Sequence, residues 1–220
     1  MLSLKQDKTI FIAFIIGAFV LSYIPIIHWP FAWLETFFHE ISHGFAALLS
    51  GGDVDRIKLF FSGAGRCYTL GGWAAFISFS GYLGASLWGA VIYFGARSSG
   101  QNNQWLAMLI AGFIVICGLL WARDIITIII LLVITGTLYI SFRYVRGNTL
   151  PRFMEFVGVY IMLNAFRAPL QLIDGRHYGD GATLADLTFL PEIIWVGIWW
   201  IIAASVMAGI WKIHAKVVTE

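Results

Sequence analysis

Phe37-Phe38-His39-Glu40-Ile41-Ser42-His43-Gly44 is the stretch from which the fold and chemistry of this chain are most directly inferred. Two histidines stand four residues apart, and a glutamate directly follows the first. On a helix, positions i and i+4 lie on one face, so His39 and His43 can bind one metal ion together. Glu40 then lies beside that ion, where its carboxylate can take a proton from a bound water. The stretch therefore predicts a helical metal site with a general base.

The chain around this stretch is too apolar for a soluble protein. Of its 220 residues, 60% are hydrophobic and only 12% are charged, against about 25% charged in a typical soluble domain. So few charges could not cover the surface of a soluble protein of this size. Long apolar runs between short polar loops instead predict a multi-pass membrane protein in contact with the lipid bilayer. The net charge of +2 comes without a basic stripe, so no nucleic-acid partner is expected.

The apolar runs predict the fold class: an all-α membrane protein, with a polytopic bundle of about six to seven transmembrane helices. One domain is expected to take up residues 1–220. The tripeptide His28-Trp29-Pro30 is expected to close the first span, with the proline as the breaker. The predicted helical segments are residues 9–27, 31–50, 71–96, 105–121, 125–142, 153–173 and 192–213.

A more polar segment, residues 53–70, follows the histidine-bearing helix. Two short runs flank the glycine-rich turn Ser62-Gly63-Ala64-Gly65, which predicts a short β-hairpin. The next span, residues 71–96, is rich in Gly, Ala and Ser. Such residues permit close helix–helix approach, so we expect this span to pack against the metal-binding helix.

Glu35, His39 and His43 are spaced i, i+4 and i+8, so all three share one helix face. Ionisable groups in a membrane helix are costly and indicate a functional site. Histidine and carboxylate donors suit zinc, which also acidifies its bound water. A catalytic zinc site takes three protein ligands and one water, so one ligand is missing. Cys67 and Cys117 lack metal-type spacing, and we expect the third ligand from residues 164–191, where the candidates are Asp174, His177, Asp180 and Asp186.

The sequence also resembles a known family. Phe38-His39-Glu40-Ile41-Ser42-His43-Gly44-Phe45-Ala46-Ala47-Leu48-Leu49-Ser50-Gly51-Gly52 resembles the M50B-like membrane zinc metallopeptidases, which are relatives of the site-2 proteases. Phe79-Ser80-Gly81-Tyr82-Leu83-Gly84 resembles the Gly-Tyr-x-Gly segment of that family. The stretch from Asp180 to Pro191 is similar to its Ser-Asp-Ala…Leu-Ala…Thr…Pro stretch.

This resemblance implies a membrane-embedded zinc metalloendopeptidase that hydrolyses peptide bonds in or near transmembrane segments of membrane-protein substrates. His39 and His43 would be metal ligands, and Glu40 would activate the metal-bound water. A bacterial cell membrane is the expected location.

The resemblance leaves two aspartates as the third ligand. Asp174 follows Asn164 and Pro169 and precedes a glycine, as in the Leu-Asp-Gly motif of site-2 proteases. Asp180 fits the M50B-like stretch better, although Gly179 stands where that family has Ser or Asn and Gly181 where it has Ala. We prefer Asp180 slightly, while His177 is a weaker candidate.

A different class of protein could use the same ligands. The alternative is a non-catalytic metal-binding membrane protein or a transporter. A transporter is expected to place ionisable ligands on several spans along a path. Here they are concentrated on one helix and one late polar segment, which favours catalysis.

Overall fold

A computed structural model describes residues 2–98, 104–145, 147–173 and 176–216. These residues form eight α-helices and one two-stranded antiparallel sheet, so the predicted all-α membrane fold with a β-hairpin is confirmed. A 3-10 helix, Ala168–Leu172, follows the sixth α-helix. The elements are α1 (Leu2–Leu21), α2 (Trp29–Leu49), β1 (Asp53–Leu59), β2 (Gly65–Leu70), α3 (Ala74–Ser98), α4 (Gln104–Trp121), α5 (Ile125–Tyr144), α6 (Thr149–Arg167), α7 (Asp180–Thr188) and α8 (Glu192–Lys216).

Three of the described helices are long and apolar enough to cross a membrane. They are Ala74–Arg97 within α3, Ile125–Tyr144, and Glu192–Ile213 within α8. The apolar part of α4, Trp105–Trp121, is shorter. This count, made by length and composition, is lower than the six to seven transmembrane helices predicted. The other long helices, α1, α2 and α6, each contain charged side chains, which lower their hydropathy.

Helix α2 lies at the centre of the structure. Its side chains are buried around most of its circumference, as expected for a helix that is apolar on nearly every face. Phe37, Phe38 and Ile41 are at most 1% exposed. Helix α2 packs against α3, α6 and the hairpin, so its few polar groups point into protein.

Helix α3 approaches both α2 and α6 closely through its glycines, as its small residues predict. A Cβ added at Gly84 would lie 2.0 Å from Ser42 Oγ on α2. A Cβ added at Gly89 would lie 2.8 Å from the Gly158 carbonyl oxygen on α6. Real Cβ atoms essentially never come this close, so only glycine fits at these contacts.

The hairpin formed by β1 and β2 is fixed at both of its sides. Along β1, the Leu59 N–H donates to Thr127 Oγ1 at 2.9 Å, which ties the strand to the start of α5. Toward α2, Thr36 Oγ1 donates to the Gly63 carbonyl oxygen at 2.6 Å, and Trp33 Nε1 donates to the Phe61 carbonyl oxygen at 3.3 Å. The hairpin therefore lies along the helix that carries the histidines.

Several helix boundaries differ from those predicted. Helix α1 ends at Leu21, and Pro30 lies in the first turn of α2 instead of closing the first span. Proline is tolerated there because the N–H it lacks would have no partner within the helix. Helix α6 ends at Arg167, with Pro169 in the 3-10 helix that follows, so the helix predicted to reach residue 173 is shorter. Helix α7 was not predicted at all.

Candidate metal centre

The side chains of His39, His43 and Asp180 meet at one point. His39 Nε2 lies 3.1 Å from Asp180 Oδ2, and His43 Nε2 lies 3.3 Å from the same oxygen. The two Nε2 atoms are 3.0 Å apart. Among the described residues, these three form the one group of three or more His, Cys, Asp or Glu side chains that could hold a metal ion.

The hydrogen bonds of His43 show which of its ring nitrogens faces this cluster. His43 Nδ1 lies 2.6 Å from the Ile77 carbonyl oxygen, and because a carbonyl can only accept, Nδ1 carries the proton. In a neutral ring, Nε2 then presents a lone pair to the Asp180 carboxylate. Two acceptors 3.3 Å apart repel each other unless a positive charge lies between them. The geometry therefore requires a cation, either a second proton on the imidazole or a metal ion.

The separations between the three donor atoms fit a zinc site. Tetrahedral bonds of 2.0–2.1 Å place neighbouring ligand atoms about 3.3–3.4 Å apart. The observed separations of 3.0, 3.1 and 3.3 Å are close to this value. The contact from the His43 Nδ1–H to a backbone carbonyl is also typical of metal-binding histidines, because it fixes the ring orientation.

Asp180 reaches the histidines from the first residue of α7. The residue before it, Gly179, has φ 100 and ψ −165, a conformation that glycine adopts readily and other residues do not. This backbone conformation explains why glycine stands at position 179, where the family that the sequence resembles has Ser or Asn.

Glu40 lies under the hairpin. Its side chain is only 5% exposed, and its carboxylate accepts a hydrogen bond from the Cys67 backbone N–H on β2. A Cβ added at Gly65 would lie 2.6 Å from Glu40 Oε1, so the start of β2 passes directly over the carboxylate. The hairpin thus orients the candidate general base, a role that its sequence alone does not indicate.

Helix α3 closes the other side of the cluster. A Cβ added at Gly81 would lie 2.6 Å from His39 Nε2 and 2.6 Å from His43 Cε1. The next residue, Tyr82, places its ring centroid 4.5 Å from that of His39, at an interplanar angle of 72°. Both residues belong to the Gly-Tyr-x-Gly segment identified in the sequence, but the pattern alone gave them no role.

Of the other predicted candidates, His177 and Asp186 do not join the cluster. His177 Nε2 and Asp186 Oδ1 pair with each other at 3.0 Å, on side chains that are 62% and 70% exposed. Asp174 lies outside the described residues. Glu35 is 8% exposed on α2, one turn before His39.

Comparison with known protein families gives a match over most of the chain. The family model described as Peptidase M50B-like matches residues 11–210, a range that includes every residue of the cluster. No curated protein and no solved structure matches the chain.

Proposed function

Because the chain belongs to the Peptidase M50B-like family, we propose that it is a membrane-embedded zinc metalloendopeptidase. Its substrates would be membrane proteins, cleaved in or near their transmembrane segments, and it would act as a multi-pass protein of a bacterial cell membrane. The observation that carries the proposal is the meeting of His39, His43 and Asp180 beside Glu40, on elements far apart in the sequence.

Each polar residue of the cluster has a part in this proposal. His39, His43 and Asp180 would hold zinc, the first two through Nε2 and the third through a carboxylate oxygen. Zinc, when bound, supplies a Lewis acid that polarises the scissile carbonyl and acidifies water. Glu40 takes the proton of the attacking water and later delivers it to the leaving amine. The Cys67 N–H and the strand above Glu40 keep this carboxylate in place.

The depth of the cluster supports a bond within the membrane as the target. Gly81 touches both imidazoles and lies seven residues after Ala74, the first residue of a membrane-length helix. At 1.5 Å per residue this is about 10 Å along α3 from its end. The hydrocarbon core of a bilayer is about 30 Å thick. With Ala74 placed at the boundary of this core, the cluster would lie about a third of the way into it.

The test is proteolysis by the purified full chain in liposomes. A panel of single-span reporter proteins serves as substrate, and mass spectrometry maps the cleavage sites. We expect cleavage in or near the reporter span and about one zinc per chain. Glu40→Gln keeps the size of the side chain but removes the base, so it should retain zinc and lose cleavage. Cleavage by Glu40→Gln at the rate of the unmodified protein contradicts the proposal.

The same preparation tests the alternative function. A transporter moves its ion between successive sites, yet the described residues hold one such group of ligands. We therefore expect no zinc accumulation inside the liposomes. Zinc uptake without cleavage of any reporter would favour the transporter.

A further inference from the structure

Tyr82 lies against the candidate metal centre without an assigned role. Its ring is 9% exposed and is held between two aromatic side chains. The His39 ring lies 4.5 Å away on one side, and the Trp199 ring lies 4.8 Å away on another, both measured between centroids. Trp199 is itself fixed by a hydrogen bond from its Nε1 to the Phe79 carbonyl oxygen at 3.1 Å. The Tyr82 ring is therefore held firmly beside a metal-binding imidazole.

The hydroxyl of Tyr82 has no hydrogen-bond partner among the described residues. The two polar atoms that are sealed from solvent without a partner are Glu192 Oε1 and Trp200 Nε1, and the Tyr82 oxygen is not one of them. The Tyr82 oxygen therefore keeps some accessible surface. An unpaired, accessible phenol beside a reaction centre is free to donate to a bound molecule.

The carboxylates around the Tyr82 hydroxyl are a reason why a hydrogen-bond donor is needed there. The Tyr82 hydroxyl interacts with four carboxylates: Asp180, Glu35, Glu40 and Glu192. Peptide hydrolysis places a growing negative charge on the carbonyl oxygen, which those of the carboxylates that remain ionised would repel. A neutral O–H donor aimed at that oxygen would offset the repulsion in part.

Three other hydroxyl groups near the cluster already donate to backbone carbonyl oxygens. Ser42 Oγ donates to the Phe38 carbonyl oxygen at 2.6 Å, and Ser80 Oγ donates to the Ile77 carbonyl oxygen at 2.6 Å. Thr36 Oγ1 donates to the hairpin turn. Of these four hydroxyl groups, that of Tyr82 is the one left to donate to a substrate.

We propose that Tyr82 is a further catalytic residue whose hydroxyl donates a hydrogen bond to the carbonyl oxygen of the scissile peptide bond as that oxygen gains negative charge. This inference rests on the proposed peptidase function. The hydrogen bond would be strong in the transition state, where the negative charge on the oxygen is greatest, and weak in the bound substrate.

The test compares Tyr82→Phe with the unmodified full chain in liposomes. Phenylalanine keeps the ring contacts with His39 and Trp199 and removes only the hydroxyl. Because loss of one donor to a developing oxyanion costs about 10²–10³ in kcat, we expect kcat to fall about 100-fold. KM should stay within about twofold, and zinc content should not change.

Tyr93→Phe is the matched control. Tyr93 lies on the same helix, is 1% exposed and contacts Phe11 at the opposite end of α3 from the cluster. Removing its hydroxyl shows how far the loss of a buried hydroxyl group affects α3 without any change at the cluster. We expect its kcat to stay within about twofold of the unmodified protein.

A second measurement separates a transition-state role from a structural one. A phosphinic peptide mimics the tetrahedral geometry of the reacting carbonyl, so its Ki should rise in Tyr82→Phe by the same factor by which kcat/KM falls. A lower kcat with an unchanged Ki overturns the inference, as does full kcat in Tyr82→Phe. If the unmodified protein cleaves and Glu40→Gln does not, these results bear on Tyr82 alone. If the unmodified protein cleaves nothing, the peptidase function and the role of Tyr82 are both refuted.

Discussion

Gly81→Ala tests whether the backbone of α3 seats the imidazoles of His39 and His43, the candidate zinc ligands. The added methyl group would lie 2.6 Å from His39 Cε1, His39 Nε2 and His43 Cε1. Ordinary van der Waals contact begins near 3.4 Å. The rings must therefore retreat by about 0.8 Å, since carbon atoms repel steeply inside about 3.5 Å.

A displacement of this size should affect zinc binding more than folding. The contacted atoms are the far ends of side chains, which can move, and alanine favours a helix over glycine by about 1 kcal/mol. Metal bonds are less tolerant, because a working site holds its distances within about 0.2 Å. We expect zinc affinity to fall at least 10-fold and kcat/KM to fall about 100-fold, the typical cost of a 1 Å misplacement.

The assay measures zinc affinity by competition with a chromogenic chelator, and stability by thermal unfolding in detergent. Gly112→Ala is the matched control, because it lies within helix α4 and an added Cβ there has nothing within 4 Å. We expect the control to keep its zinc affinity and to unfold at the same or a higher temperature. If Gly81→Ala keeps the zinc affinity and activity of the control, α3 does not seat the imidazoles and the reasoning is wrong.

Three further outcomes follow from the same geometry. Asp180→Asn removes the carboxylate shared by both histidines and should lower zinc affinity at least 10-fold. Its control is Asp186→Asn, on the exposed face of the same helix, which should leave the zinc affinity measured by chelator competition unchanged. Gly158→Ala places a Cβ 2.6 Å from the Gly89 carbonyl oxygen, a backbone atom, and should lower the unfolding free energy by about 1–3 kcal/mol while the zinc stoichiometry stays the same. Zinc affinity should fall as the pH is lowered, because protons compete with the metal for the histidine nitrogens; a zinc affinity that does not change with pH would mean that the histidines are not ligands.

The central helix and the hairpin could be predicted because their signals are local. An apolar run ending at Gly51-Gly52 defined α2, and short runs around a glycine-rich turn defined β1 and β2. Both are found within a few residues of the predicted bounds.

Helix α7 could not be predicted, because its apolar content is low. It is nine residues long and lies between a glycine and a proline, in a segment that looked like a polar loop. Its stability comes from tertiary contacts: Leu184 is 1% exposed and packs with Val196 and Trp199 of α8.

The choice between Asp174 and Asp180 also depends on information that is not local. Each aspartate precedes a glycine, and they stand six residues apart, so spacing alone favours neither. The path of the chain brings Asp180 to the histidines. Helix α6 ends before Pro169, and α7 starts directly after the positive φ of Gly179. The hairpin over Glu40 and the glycine contacts of α3 are likewise tertiary features.

Zinc anomalous scattering from crystals of the purified full chain tests the central claim most directly. We predict one anomalous peak per chain, 2.0–2.2 Å from His39 Nε2, His43 Nε2 and a carboxylate oxygen of Asp180. A peak at other residues, one in which Asp174 replaces Asp180, or no peak in protein purified with zinc present would contradict it.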